Sequence, residues 1–477
     1  MATALSTTTI RFGTDGWRAI IGEDFTFANV RRCAQATAQY VRESGLADRG
    51  LVVGYDTRFA SEAFAAAVAE VLTANDLPVF LCDRPAPTPV VGHAILRRRA
   101  AGSVVITASH NPPEYSGFKV RTEYAGAAPP DVLSRIEALL ARISDAPRLT
   151  LTEAKAKHLL EVFNPEPDYL AHLSELVDLE AVRARGLRLV VDSMHGAGAG
   201  YLRKLLAGGK TRVWEVRSAR NPLFPGMHNP EPIPRNLSPL RRAVRRHGAQ
   251  VGLATDGDAD RLGVIDHQGR FVNQLQTFAL LAYYLLEVRG LRGPIVKSVT
   301  TTSMVPRLGE IYGVPVHETA VGFKHLGPKM RDTDAIIAGE ESGGYAFRGH
   351  LPERDGILSG LYFLDLMARR RKDAAGLVAE LFGKVGPHYY DRVDIEMSPQ
   401  ERARVESRLS DLKPDQIAGL RVTGIDSTDG LRLKLEDGAW ALFRLSGTEP
   451  LMRIYTEVPR EELVPVVLAQ CRELAGV

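Results

Sequence analysis

The sequence predicts an α/β fold: three related α/β domains with mixed, largely parallel sheets, then a smaller C-terminal α+β domain. Three observations predict it. An apolar run, a polar or glycine-rich loop and an amphipathic stretch recur in that order three times. Each recurrence then reaches a second apolar run that ends in an unusual loop, and strand–helix–strand alternation of this kind builds layered domains. After Pro399 the style changes to alternating polar and apolar segments joined by a hairpin turn.

The first copy has a strand at 51–56, a helix at 61–72 and a second strand at 102–106 that ends in the loop of Ser109. The second has a strand at 187–192, the loop His195-Gly196-Ala197-Gly198-Ala199-Gly200, a helix at 201–206 and a strand at 251–254 leading into Asp256. The third runs from 294–296 through Thr300-Thr301-Thr302 into a helix beginning at Ser303, and its second strand at 334–338 leads into Gly339-Glu340-Glu341-Ser342-Gly343-Gly344. Ligands of such folds bind outside the carboxyl ends of the strands, so the three loops are expected to face one cleft. Joints are read at 146–157 and 267–273, and a change of style at Gly386-Pro387-His388, giving domains 1–150, 151–267, 268–386 and 387–477. The last holds a charged helix at 400–412, a hairpin of 431–435 with 440–444 across Glu436-Asp437-Gly438, and a closing helix at 461–474.

A chain of 477 residues is too long for one ordinary core, and 45% hydrophobic with 25% charged residues is ordinary globular composition. A net charge of +3 implies no strong field toward nucleic acid or membrane. The longest apolar patch, 278–286, is too short to span a bilayer, and residues 1–9 lack an apolar signal core. Cys33, Cys82 and Cys471 have no metal-type spacing and fit a reducing compartment, so a cytoplasmic protein is expected.

Thr107-Ala108-Ser109-His110-Asn111-Pro112 follows an apolar strand and is broken by Pro112-Pro113, which sets a hydroxyl on a rigid loop edge. Asp256, Asp258 and Asp260 alternate with small residues. That spacing turns three hard oxygen ligands toward one cation such as Mg²⁺, and it equally fits a solvated acidic turn. The strand-like run after Arg261 and the lack of a loop-closing Glu disfavour an EF-hand. No Gly-x-Ser-x-Gly elbow surrounds Ser109, so a hydrolase triad is not indicated. A serine near a cation and a base suits phosphoryl transfer. Arg444-Leu445-Ser446-Gly447-Thr448-Glu449-Pro450, with Arg453 beyond, offers hydroxyls, backbone N–H groups and guanidinium groups to a dianionic phosphate, or forms a hairpin turn. Arg18 and Lys119 are candidate cations near a transferring phosphate.

Together FGTDGWR, TASHNP, GFK, DGDADR, GEESGG and RLSGTEP, in that order across nearly the whole chain, resemble the α-D-phosphohexomutase family. The resemblance implies four domains around a central cleft and a mutase in which Ser109 carries the phosphoryl group. Lys119, Arg18 and His110 would be the other catalytic residues. Mg²⁺ would be held by Ser109, Asp256, Asp258 and Asp260. Arg261, Gly322, Lys324, Glu340, Ser342, Arg444, Ser446, Gly447, Thr448 and Arg453 would bind a hexose phosphate, with glucose 1,6-bisphosphate as intermediate and activator. Within the family, the GEESGG loop and Val321-Gly322-Phe323-Lys324 resemble the glucose type. Gly344 stands where dual mannose/glucose mutases often carry His, and Trp17 where phosphoglucosamine mutases commonly carry Ile. Glucose phosphates are therefore the expected substrates. A mannose or dual-specificity mutase and a glucose 1,6-bisphosphate synthase are the alternatives.

Overall fold

The structure is a computed structural model, and it describes residues 10–13, 15–446 and 451–477. Its first three sheets repeat one four-strand order. In each, the first strand lies between the second and third in parallel, and a fourth returns antiparallel beside the third. In the first sheet these are Leu51–Tyr55, Val79–Cys82, Gly102–Ile106 and Tyr115–Thr122. In the second they are Arg188–Asp192, Arg212–Val216, Val251–Thr255 and Leu262–Asp266. In the third they are Ile295–Ser298, Val316–Thr319, Ile337–Gly339 and Tyr345–Phe347. The parallel strands need helical crossovers, such as Ser61–Ala74 and Thr88–Arg98 in the first domain. The returning strand needs only a loop. Those three loops carry Ser109, the alternating aspartates and Glu340.

Local chemistry explains the elements. Leu51–Tyr55 and Gly102–Ile106 are buried along their whole length, as expected of apolar strands with helices on their faces. Two helices near the cleft begin where a side chain satisfies a free N–H: Asn273 caps Gln274–Tyr283 in a capping box with Gln276, and Asp355 caps Gly356–Arg370 through the N–H groups of Ile357 and Leu358.

Two joints differ in detail from the sequence reading. The polar stretch before 157 holds the capped helix Leu151–Ala156, after which Leu160–Phe163 pairs in parallel with Val79–Cys82, so the first sheet continues past residue 150. Phe271–Val272 pairs back on Leu262–Asp266, so the second sheet continues past residue 267. Composition marked the exposed connection in each case. The pairing beyond it depends on a partner strand distant in sequence.

One continuous apolar core runs through the three α/β domains, from Ile10 to Val385. The C-terminal domain has its own core, from Met397 to Ala475, under a fully antiparallel six-stranded sheet. The hairpin of Leu431–Leu435 with Trp440–Leu445 forms as its alternation predicts. A small apolar patch of Leu275, Val299, Trp440, Leu442 and Tyr455 joins the third domain to the fourth. Among the described residues no helix is long and apolar enough to cross a membrane.

Candidate active site

The Ser109 loop is held by a buried arginine. Nη1 of Arg58 donates to the carbonyls of Pro112 at 2.7 Å and Tyr115 at 3.0 Å, and Nη2 to those of Ser109 at 2.8 Å and Asn111 at 2.5 Å. Ser109 has φ +52°, a left-handed conformation that a non-glycine residue adopts only when its surroundings fix it. The sequence sets this hydroxyl on a rigid loop edge. Ser109 is 1% exposed, and its Oγ donates to Asp256 Oδ2 at 2.8 Å with His110 Nδ1 at 3.2 Å. The second-domain loop closes over it: a Cβ on Gly257 would overlap the carbonyl oxygen of Ser109. Burial, then the charges of Arg261, Arg18, Lys119 and Arg354, hold His110 well below the usual histidine range, so its ring is neutral at neutral pH.

The three aspartates form one buried cluster, with an oxygen of each lying within 4.8 Å of the others. Asp258 Oδ2 accepts from Thr88 Oγ1 at 2.6 Å and from Lys119 Nζ at 2.8 Å. Asp256 Oδ1 accepts from the backbone N–H groups of Asp260 at 3.0 Å and Arg261 at 3.2 Å. Asp258 Oδ1 and Asp260 Oδ1 are buried without a hydrogen-bond partner among the described residues. Orphaned carboxylate oxygens beside other carboxylates are costly unless a cation joins them, so the donor set fits a hard divalent ion. Burial and then mutual repulsion push Asp256 well up. Burial also opposes ionisation of Asp258, but the Lys119 ammonium outweighs it and keeps that carboxyl below its usual range. Burial disfavours the Lys119 charge, yet Asp15, Asp258 and Asp260 raise its pKa, so it stays a cation.

Arg354, which the sequence did not single out, ties three domains together. Its Nη2 lies 2.8 Å from Asp15 Oδ2 and 2.9 Å from Asp260 Oδ2, and its Nη1 donates to Glu340 Oε1 at 3.1 Å. Glu340 Oε1 also accepts from Ser342 Oγ at 2.7 Å. Arg261 Nη1 pairs with Glu231 at 3.0 Å, and Arg18 Nη1 donates to Asn111 Oδ1 at 2.6 Å.

A cleft of about 640 Å³ opens above this cluster, lined from all four domains. Arg18, His110, Arg261, Gly322, Lys324, Glu340, Ser342, Arg444, Ser446 and Arg453 border it. Lys119 and the aspartates are buried beneath it. Gly322 has φ +113° and opens the helix Phe323–Asp332, which sets Lys324 at the cleft. Arg444 Nε donates to Asp429 at 2.9 Å, Arg453 Nε lies 3.5 Å from Asp394, and the Ser446 carbonyl accepts from Arg402. Gly447 and Thr448 lie outside the described residues.

The sequence reading missed the supports. Arg58 and Thr88 had no motif to flag them. Arg354 had a weak signal, the charged run Glu353-Arg354-Asp355 just before an apolar helix. Trp17, set against phosphoglucosamine mutases in the sequence reading, is 5% exposed and stacks on Phe25 at 5.0 Å, so it is a core ring and not a substrate contact.

Comparison with known proteins agrees with this architecture. Models of the phosphoglucomutase/phosphomannomutase family match in order: α/β/α domain I at residues 9–147, domain II at 167–269, domain III at 273–385 and the C-terminal domain at 402–474. A phosphoglucomutase/phosphomannomutase of Thermococcus kodakarensis is 32% identical over 94% of this chain and 95% of its own. A probable phosphoglucosamine mutase of Methanothermobacter thermautotrophicus is 33% identical over 94% of both chains. The crystal structure of a putative phosphomannomutase from Thermus thermophilus superposes with a TM-score of 0.86 at 37% identity, covering 98% of this chain and 99% of that one. The chain belongs to the phosphoglucomutase/phosphomannomutase family, within the α-D-phosphohexomutases.

Proposed function

We propose that the protein interconverts glucose 1-phosphate and glucose 6-phosphate through a phosphorylated Ser109 and a bound glucose 1,6-bisphosphate. The observation that carries this reading is the 2.8 Å contact of Ser109 Oγ with Asp256, inside the aspartate cluster and under a polar cleft. Phosphoryl transfer needs positioning and charge neutralisation more than covalent chemistry. A free sugar hydroxyl forms the new O–P bond as the bond to Ser109 Oγ breaks, and the proton it gives up passes by way of His110 to Ser109 Oγ. The bisphosphate turns in the cleft and returns its other phosphoryl group to Ser109. Mg²⁺ held by Ser109, Asp256, Asp258 and Asp260 supplies charge neutralisation when bound. Lys119 and Arg18 add fixed positive charge. His110, neutral and 3.2 Å from Ser109 Oγ, takes or returns the serine proton. Arg261 braces the metal loop through Glu231.

Glu340 and Ser342 grip sugar hydroxyls. Arg444, Ser446, Gly447, Thr448 and Arg453 hold the phosphate that is not reacting, and Lys324 with the Gly322 turn borders the sugar. Gly344, where dual mannose/glucose mutases often carry His, supports the glucose type. A mannose or dual-specificity mutase is the second reading, favoured by the double name of the Thermococcus relative. Three buried free cysteines support a cytoplasmic setting.

A coupled assay with Mg²⁺ and a trace of glucose 1,6-bisphosphate tests the reading, with glucose, mannose and glucosamine phosphates in parallel. We expect glucose 1-phosphate to be turned over fastest, and Ser109→Ala to lose at least about 10³-fold in kcat while melting near the wild-type temperature. A larger mannose or glucosamine rate overturns the substrate. Full activity of Ser109→Ala overturns the phosphoserine. Bisphosphate made only with an added phosphoryl donor identifies a synthase.

A further inference from the structure

We infer that Asp429 is the positioning residue of the phosphate clamp: one carboxylate aims Arg444 and fastens it to the segment that borders the sugar. Asp429 Oδ1 accepts from Arg444 Nε at 2.9 Å, and Oδ2 accepts from the backbone N–H of Val321 at 2.9 Å. Asp429 lies in the C-terminal domain, between the strands Leu420–Asp426 and Leu431–Leu435, whereas Val321 lies in the third domain, directly before Gly322. The carboxylate thus spans two domains with a different oxygen for each. Gly430 makes the approach possible. It has φ +98°, and a Cβ there would lie 3.2 Å from Cα and 3.3 Å from Cβ of Arg444 and would overlap the Phe443 carbonyl. The inference rests on the proposed role of Arg444 in holding phosphate.

The geometry does two things. A bond through Nε leaves the Nη1/Nη2 edge of the guanidinium for the bidentate contact that a dianionic phosphate needs. It also fixes the plane of a side chain that would otherwise lose rotamer freedom at each binding event. A mutase must grip, release and grip again as its intermediate turns, so that loss would recur in every cycle. The second bond sets the clamp in register with Gly322 and Lys324, which border the same cleft. Other ties hold the two domains together without Asp429. Glu341 accepts from Tyr390 at 2.7 Å and from Arg392 at 2.9 Å, and Glu318 of the third domain pairs with Arg432 of the fourth. Removal of Asp429 should therefore act on the clamp and not detach the domain.

The test is a double-mutant cycle of Asp429→Ala with Arg444→Ala, reading kcat, KM and calorimetric Kd for glucose 6-phosphate, with thermal melts of every variant. We expect Asp429→Ala alone to raise KM and Kd about tenfold while kcat changes less than about threefold. In the Arg444→Ala background the same change should alter KM less than about twofold. Asp429→Asn, which keeps an acceptor for Val321 but loses the charge, should fall between. Active wild type with an unmoved KM in Asp429→Ala overturns the inference alone, and so do additive effects of the two substitutions. Wild type that binds neither hexose phosphate nor inorganic phosphate overturns the inference together with the functional reading.

Discussion

The side chain of Arg354 fills the space above Gly344: a Cβ on that glycine would lie 2.6 Å from Cγ of Arg354 and nearer still to Cδ. The loop of Glu340 can carry no side chain at 344 while Arg354 stays in place. Through Arg354 the glycine governs Glu340 in its own loop, Asp260 in the aspartate cluster and Asp15 in the first domain.

Gly344→Ala should therefore act through displacement of that guanidinium. Shifts near 1 Å in a positioned group cost on the order of 10- to 100-fold in rate. We expect kcat/KM to fall within that range, with weaker Mg²⁺ binding by calorimetry because Asp260 loses the 2.9 Å contact that orients its carboxylate. Unchanged kinetics together with unchanged Mg²⁺ affinity would show that Arg354 is not a constraint.

Arg58 should prove as necessary as the serine it supports. Arg58→Met leaves the carbonyls of Ser109, Asn111, Pro112 and Tyr115 without their donor, and Asp56 without the cation 3.3 Å away. Breaking a buried charged network of this kind costs about 3 kcal/mol or more. Chemical denaturation should report that loss, and the remaining folded enzyme should turn over slowly because its serine loop is no longer fixed. Denaturation curves that superpose on wild type would contradict the assigned role.

Acid should weaken the junction of the first three domains. His93 stacks on His172 at 4.8 Å, and His172 stacks on His350 at 5.1 Å, with Tyr169 packed against both ends. His350 Nε2 lies 2.7 Å from Asp355 Oδ2, and Asp168, Glu175 and Arg97 are the other charges nearby. Burial, then the neighbouring histidines, lower His93 from 6.5 to about 4, and burial lowers His172. A folded pKa below the unfolded one means that the neutral form belongs to the fold. The stabilisation from His93 is complete above about pH 6.5 and is lost as pH falls toward 4, at up to ~1.4 kcal/mol per pH unit. Melting temperature should fall between pH 7 and 5, and His93→Phe should flatten that fall. Parallel pH profiles for the two proteins would refute it.

Much of this was legible in the chain. Apolar runs fixed the strands, because a buried parallel strand needs apolar side chains on both faces. The alternation of Leu431–Leu435 fixed a hairpin, because one face of that sheet packs on a core. Ser109, the three aspartates and Arg444 could be picked out because reactive and charged groups cluster at strand ends in recognisable order. Arg58, Thr88 and Asp429 could not, and Arg354 carried only the weak signal of a charged run. Each acts on a partner distant in sequence, as with Thr88 and Asp258, 170 positions apart.

The sequence by itself determined the three repeated α/β units, the fourth domain and the residue types gathered at the candidate site, since periodicity and strand-end motifs are local properties. Only the tertiary structure decided that the Ser109 hydroxyl turns inward to Asp256, that Lys119 remains charged, that Trp17 is core, and that Arg354 occupies the space above Gly344. The physical reason is that hydrogen-bond partners, burial and protonation state depend on which distant segments share a volume, and folding alone brings those segments together.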